Sequence, residues 1–238
     1  MSLLHSLRRV EIGGGYVGAK KISPLSKLPL PASFFERPVE CVAQDLVGCR
    51  IVSDVEDGRV TGRIVETEAY GMDEDAFYGR HVRLTPSGEI TTSPTGAVLL
   101  GVRGAAFIYS VFFGNWLLNV VAGPPGYLGC VLIRAAEPIE GVDEMRRRRQ
   151  CTDRDDRLAA GPGRLTKAFA IDGSLNGHDL RKEPLTLHPR AAGHTPRIAA
   201  GPRVLNSAHS GASHEIPWRF VDSASPTLSR PAGRVADS

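Results

Sequence analysis

Apolar residues recur at helical spacing at Val39, Val42, Ala43, Leu46 and Val47, which predicts a helix with Pro38 as its first residue and Gly48 at its close. Residues 49–55 and 59–70 then read as two strands joined by a turn at Glu56-Asp57-Gly58. An acidic loop follows over 71–76, and after it a polar, turn-rich stretch over 79–96. Four apolar runs come next, at 97–102, 105–111, 116–121 and 129–136. Runs this continuous predict central strands covered on both faces. A helix is expected over 139–150. A second, apolar one is expected over 165–171, entered from Gly161-Pro162-Gly163-Arg164. Short strands and loops fill 185–220.

Polar residues inside these apolar stretches carry the candidate chemistry. In the strand Gly62-Arg63-Ile64-Val65-Glu66-Thr67-Glu68-Ala69-Tyr70, Glu66, Glu68 and Tyr70 share one face by the two-residue period. Two carboxylates there are costly to bury unless hydrogen-bonded, metal-bound or used on a substrate. A strand running out to solvent would make them ordinary. Tyr109, Asn119 and Arg134 interrupt the later runs, and each needs a partner if buried, whether backbone or substrate. The Gly-rich turn at 161–164 is either a simple turn or a helix start able to receive a phosphate.

Composition changes this picture little. A hydrophobic share of 42% with 23% charged residues suits one soluble domain. The net charge of +3 permits a nucleic-acid partner without requiring one. Arg146–Arg149 read as the solvated last turn of a helix, and Arg80, Arg83, Arg103, Arg164 and Lys167 lie scattered near the polar features. Cys41, Cys49, Cys130 and Cys151 have no metal-ligand spacing and are expected mostly as buried apolar groups. No apolar run approaches the roughly 20 residues that span a bilayer, so a cytoplasmic location is expected.

Taken in order, Phe34-Phe35, the motif at 62–70, Val131–Pro138 (VLIRAAEP), Gly161–Leu165 (GPGRL), Asn176–Leu180 (NGHDL) and Pro217–Phe220 (PWRF) resemble the alkyladenine (3-methyladenine) DNA glycosylases, a mammalian-type family with bacterial members. The resemblance spans 34–228. It implies a single mixed α/β (α+β) domain built around a curved, mainly antiparallel β-sheet, with flanking helices and a protruding β-hairpin. It divides the chain into a poorly ordered arm (1–32), a glycosylase domain (33–228) and a disordered tail (229–238). It further implies a monomer without metal or cofactor that acts on double-stranded DNA containing damaged purines. The enzyme would flip the base out of the duplex and hydrolyse its N-glycosidic bond. Glu68 falls on the catalytic carboxylate. Tyr70, Tyr109, Asn119 and Arg134 fall on the base pocket, with Tyr78 as a further stacking candidate. Phe112 or Phe113 falls on the wedge that fills the gap left in the duplex, and Thr85, Gly161, Gly163 and Arg164 on phosphate contacts.

Two stretches depart from the family pattern. Ala76-Phe77-Tyr78 stands where the family ends in a histidine that lines the pocket, and His81 could take that place only in a rearranged loop. After Thr85-Pro86 the chain also lacks an expected Arg and runs about eight residues longer. These departures leave a second reading open, a protein that binds damaged DNA with little turnover. A third would use Glu66, Glu68, Asp73 and Asp75 as a divalent-metal site.

Overall fold

The computed structural model describes residues 28–111, 114–204, 215–231 and 236–237. A short helix, α1 (Ala32–Phe35), precedes α2 (Val39–Leu46), which buries Val39, Val42, Ala43 and Leu46. Gly48, at φ +89°, turns the chain into β1 (Arg50–Val55), which pairs with β2 (Gly58–Gly71) across the expected turn. A small hairpin, β3 (Val82–Leu84) and β4 (Ile90–Thr92), forms its own two-stranded sheet. Then come β5 (Ala106–Val111), β6 (Asn115–Val121) and β7 (Gly129–Glu140). Helices α3 (Val142–Arg149) and α4 (Pro162–Ala168) precede β8 (Leu185–His188), β9 (Ile198–Gly201), β10 (Arg219–Asp222) and β11 (Ala236–Asp237).

The 14-residue β2 is the hub of a nine-stranded antiparallel sheet. Along one edge it pairs with β7, which leads outward to β6 and β5. Along the other it pairs first with β1 and then with β10, which leads to β9 and β11. The result is one α+β domain. Strand alternation sorts the side chains to two faces. Ile108, Leu118, Ile133 and Ala69 join the main core with α2 and α4, and Thr67 Oγ1 donates to Ala43 O of α2 at 2.8 Å. Phe107, Val121 and Cys130 belong to a second cluster on the opposite face, together with Tyr70, Tyr78 and Tyr109. Full burial of each large apolar side chain contributes about 1.5–3 kcal/mol, and Phe35, Ile64, Leu165 and Phe169 are all fully buried.

Several sequence expectations need correction. Residues 97–102 do not form a strand. Most of the run lies in a 3-10 helix (Gly96–Leu100) whose Gly96 N–H donates to Ser93 Oγ at 3.1 Å, with Leu99 buried and Leu100 exposed. The helix expected over 139–150 starts at Val142 instead, because β7 continues to Glu140 and Gly141, at φ +74°, makes the turn. Helix α4 starts three residues early at Pro162 and stops before Ala170, which adopts φ +52°. Cys41 is exposed, while Cys49 and Cys130 are buried. The tail expected to be disordered from 229 begins with Ser229 hydrogen-bonded to Glu66, and β11 pairs with β9. At the other end, Leu30 N–H donates to Leu187 O, so the end of the arm lies against the domain.

The four arginines of α3 are only half solvated as expected: Arg146 and Arg147 reach solvent, whereas the side chains of Arg148 and Arg149 are nearly buried and donate to Gly58 O and Leu158 O. Arg146 pairs with Asp143 and Asp155, Arg147 with Glu144 and Asp57, Arg148 with Glu144, and Arg149 with Asp153.

Candidate active site

One row of the sheet runs across four strands, from Glu68 on β2 to Leu132 on β7, Asn119 on β6 and Phe107 on β5. Residues opposite one another on paired strands share a face, so this register gathers side chains far apart in the chain. The neighbouring row carries Tyr70 beside Cys130, and the row beyond Phe107 carries Tyr109. Two register shifts between β2 and β7 lie at this point, where Glu66 pairs with Ala135 and Thr67 with Ile133. Arg134 is thereby left without a directly paired residue. Bulges re-aim side chains in this way, and Arg134 reaches both carboxylates.

Glu66 and Glu68 are both 0% exposed, so the solvent reading of this strand end fails. Glu68 Oε2 accepts from Tyr70 Oη at 2.8 Å and Arg134 at 3.1 Å, and its Oε1 accepts from Val204 N–H at 2.7 Å. An ionised carboxylate has about four acceptor positions, so one on Oε1 is left over. Glu66 is anchored from the other side. Its Oε1 accepts from Arg134 at 3.0 Å, Arg219 at 2.8 Å and Ser229 Oγ at 2.7 Å, and its Oε2 from Ser229 N–H at 2.7 Å. Burial pushes the Glu66 carboxyl upward, but Arg134, Arg219 and both bonds from Ser229 outweigh it and hold the pKa below its ordinary value. Burial raises the Tyr70 phenol well above its usual range, and the Glu68 charge adds to the effect. Tyr70 is therefore a neutral donor to Glu68.

A depressed folded pKa means that the unfolded chain takes up the proton first as pH falls. The Glu66 contribution to stability is complete above the unfolded value of 4.5 and is lost as pH falls through the folded one. The stability gap between wild type and Glu66→Gln should therefore narrow as urea unfolding is followed from neutral pH into acid. A gap that stays constant would show that the charge contributes nothing.

The three groups that bond Glu68, on Tyr70, Arg134 and Val204, line a cavity of about 450 Å³, within the range of small-molecule sites. Tyr70, Tyr78, Tyr109, Asn119 and Arg134 all line it. Arg203 stacks on Tyr70, with its guanidinium carbon 4.8 Å from the ring centroid, and its charge is held by buried Glu74. Asn119 Nδ2 donates to Phe107 O at 3.1 Å, which fixes the amide. Burial also raises the Tyr109 pKa, so both cavity phenols next to Glu68 stay neutral.

In the departing stretch at 76–81, both Tyr78 and His81 line the cavity. Tyr78 Oη donates to Met72 O at 2.6 Å and its ring meets Phe77 edge-on, while His81 swings against Tyr109 with ring centroids 4.8 Å apart. His81 Nδ1 lies 2.9 Å from Ser93 Oγ, a residue of the longer loop. Burial, followed by the nearby Arg80 charge, lowers the His81 pKa and favours the neutral ring.

Residues 33–226 match a family model described as methylpurine-DNA glycosylase (MPG). The chain belongs to the methylpurine-DNA glycosylase family. It is 41% identical over 206 residues to a protein of Salinibacter ruber, covering 84% of this chain and 98% of that one. A Methanocella arvoryzae protein is 36% identical over 203 residues, covering 85% and 96%, and a Streptomyces avermitilis protein 35% identical over 216, covering 87% and 94%. Each carries 3-methyladenine DNA glycosylase as a provisional name. The chain is thus a DNA repair enzyme, a monofunctional DNA glycosylase, with DNA as its partner.

Within this methylpurine-DNA glycosylase fold, the residues expected at the DNA backbone are placed less uniformly. Thr85 Oγ1 is engaged inside the β3–β4 turn, with Ser87 Oγ at 2.8 Å and Glu89 N–H at 3.0 Å. Gly161, at φ +126°, caps α4, and Gly163 packs so near Asn115 that an added Cβ would lie 3.2 Å from its side-chain oxygen. Arg164 is half-buried on α4. Phe112 and Phe113 lie outside the described residues. Among the described residues, no group of three or more His, Cys, Asp or Glu side chains is arranged to hold a metal ion. Arg203, Arg219 and Ser229 were not singled out from the sequence. Arg219 sat within the Trp218-Arg219-Phe220 motif, whereas Arg203 and Ser229 stand in short polar stretches with no periodic signal.

Proposed function

We propose that this glycosylase removes damaged purines, alkylated or deaminated, from double-stranded DNA after the nucleotide has been rotated into the 450 Å³ cavity. The observation that carries this reading is Glu68, buried beside an aromatic-lined cavity and bonded to both Tyr70 and Arg134. Glu68 acts as general base through the open acceptor position on Oε1. It takes a proton from water as the water oxygen attacks C1′, and the electron pair of the glycosidic bond leaves with the base. Its charge also stabilises the oxocarbenium-like sugar. An alkylated purine already carries positive charge, so it leaves without a strong acid. Tyr70, Tyr109 and Tyr78 provide aromatic walls for the base. Asn119, held by Phe107 O, rejects normal guanine by crowding its exocyclic amine. Arg134 holds Glu68 in place.

Phe112 or Phe113 fills the gap in the duplex, and Gly161, Gly163 and Arg164 approach phosphates at the start of α4. For Thr85, whose hydroxyl closes a turn, support for a phosphate contact is weakest. All these side chains belong to one chain, so a single copy suffices. No described helix is long and apolar enough to cross a membrane, and the expected workplace is cytoplasmic DNA.

The test uses duplexes with one defined lesion, hypoxanthine or a 3- or 7-alkylpurine, incubated with the protein in EDTA. Free base and an alkali-labile abasic site are expected from at least one of them. Intact duplex with every lesion would overturn the proposal.

A further inference from the structure

The β3–β4 hairpin borders a second, smaller recess of about 220 Å³, lined by Arg80, Arg83, Thr91, Thr92 and Ser93. Arg80 lines the large cavity as well, so recess and cavity share a rim. Arg83 pairs directly with Thr91 across the hairpin, which puts the two side chains on one face. Both arginines are exposed, and neither has a carboxylate within ion-pair distance among the described residues. The contrast with α3 is informative, because all four of its arginines are neutralised by nearby acids. Glu89 stands at the hairpin turn yet pairs with neither guanidinium. Two unpaired guanidiniums and the hydroxyl of Thr91 form a set of donors around one concave space.

A two-stranded ribbon is marginal by itself, but this one is anchored. Val82 is buried in the cluster beneath the cavity, and Ser93 holds both His81 and the start of the following 3-10 helix. The donors therefore stand at a defined place relative to the cavity mouth. Arginine suits phosphate because its fork can give two parallel charge-assisted bonds.

We propose that this recess binds a backbone phosphate of the DNA strand next to the nucleotide held in the cavity. The proposal rests on the cavity being where that nucleotide goes, and it gives the longer 86–97 loop a task. The hairpin is a clamp on the strand, and its contacts carry no base information.

The test is duplex binding across a salt series by wild type, Arg80→Ala, Arg83→Ala and the double variant, on lesion-bearing and undamaged DNA. Each lost phosphate contact should reduce the slope of log K against log salt by about 0.9, and the pair by about 1.8. Both duplexes should weaken alike, since phosphate contacts are blind to sequence and lesion. Arg59→Ala, at the far end of β2 and paired with Asp54, should leave the slope unchanged. Slopes equal to wild type in the double variant would overturn the proposal. So would binding of inorganic phosphate that is lost in the double variant while its DNA slope stays intact, for the recess would then serve a free anion. The undamaged-duplex arm reads the recess even if the enzyme releases no base from any lesion tested, so the two proposals fail separately.

Discussion

Glu68→Gln is expected to lower base release by about 10²–10⁴-fold, the usual contribution of a general base, while binding to lesion-bearing duplex persists. Gln is close in shape but has one acceptor oxygen where Glu has two. With that oxygen facing Tyr70 and Arg134, the new amide N–H₂ meets the Val204 N–H, which now donates to Oε1 at 2.7 Å. That mismatch leaves buried donors unsatisfied and costs about 1–3 kcal/mol of stability. Binding and unfolding must therefore be read alongside rate, below the variant's unfolding transition. Single-turnover release close to wild type from a folded Glu68→Gln protein would mean that the base lies elsewhere.

The second large effect is on stability. Arg134 is the only described cation bonded to both Glu66 and Glu68. Arg134→Met keeps much of the packing length and removes the charge. Glu66 retains Arg219 and Ser229, but Glu68 keeps only the neutral donors Tyr70 and Val204. Breaking a buried ion pair from one side costs about 3–5 kcal/mol because the remaining charge stays buried without its partner. Typical domains have only about 5–15 kcal/mol in total, so the loss should be plain in urea unfolding. Less than about 1 kcal/mol would show that water or a side-chain shift readily replaces the guanidinium. A bridge of this kind is weak evidence that the fold was stabilised by forming it. Its value here is in holding two buried carboxylates side by side.

The same cluster shows why the end of the domain was hard to read. Ser229 stands in a stretch with Pro, Arg and Gly around it, and by composition such a stretch reads as tail. Its two bonds to Glu66 are made across 163 positions of sequence. No local pattern records them. Arg203 is similar: nothing in Gly201-Pro202-Arg203 announces a guanidinium stacked on Tyr70 and charge-paired with Glu74. His81 was reachable only conditionally, since a swap of its loop position depends on Ser93, which is supplied by the added hairpin.

What the sequence by itself determined is the set of elements with strong period and the identity of the reactive groups. Alternation put Glu66, Glu68 and Tyr70 on one face of β2 and marked Tyr109, Asn119 and Arg134 as polar intrusions, and the ordered motifs carried the family. These are local properties, written within a few residues and needing no partner to be seen. Segments with weak period went astray, as when the Gly-flanked run at 97–102 became a 3-10 turn rather than a strand. Only the tertiary structure decided that Glu68, Leu132, Asn119 and Phe107 stand in one row. It also decided that a bulge sends Arg134 to two buried carboxylates, and that two exposed arginines border a recess beside the cavity. Register, bulges and the charge balance of a surface arise between strands distant in the chain, where the pairing of one fixes the facing of the next.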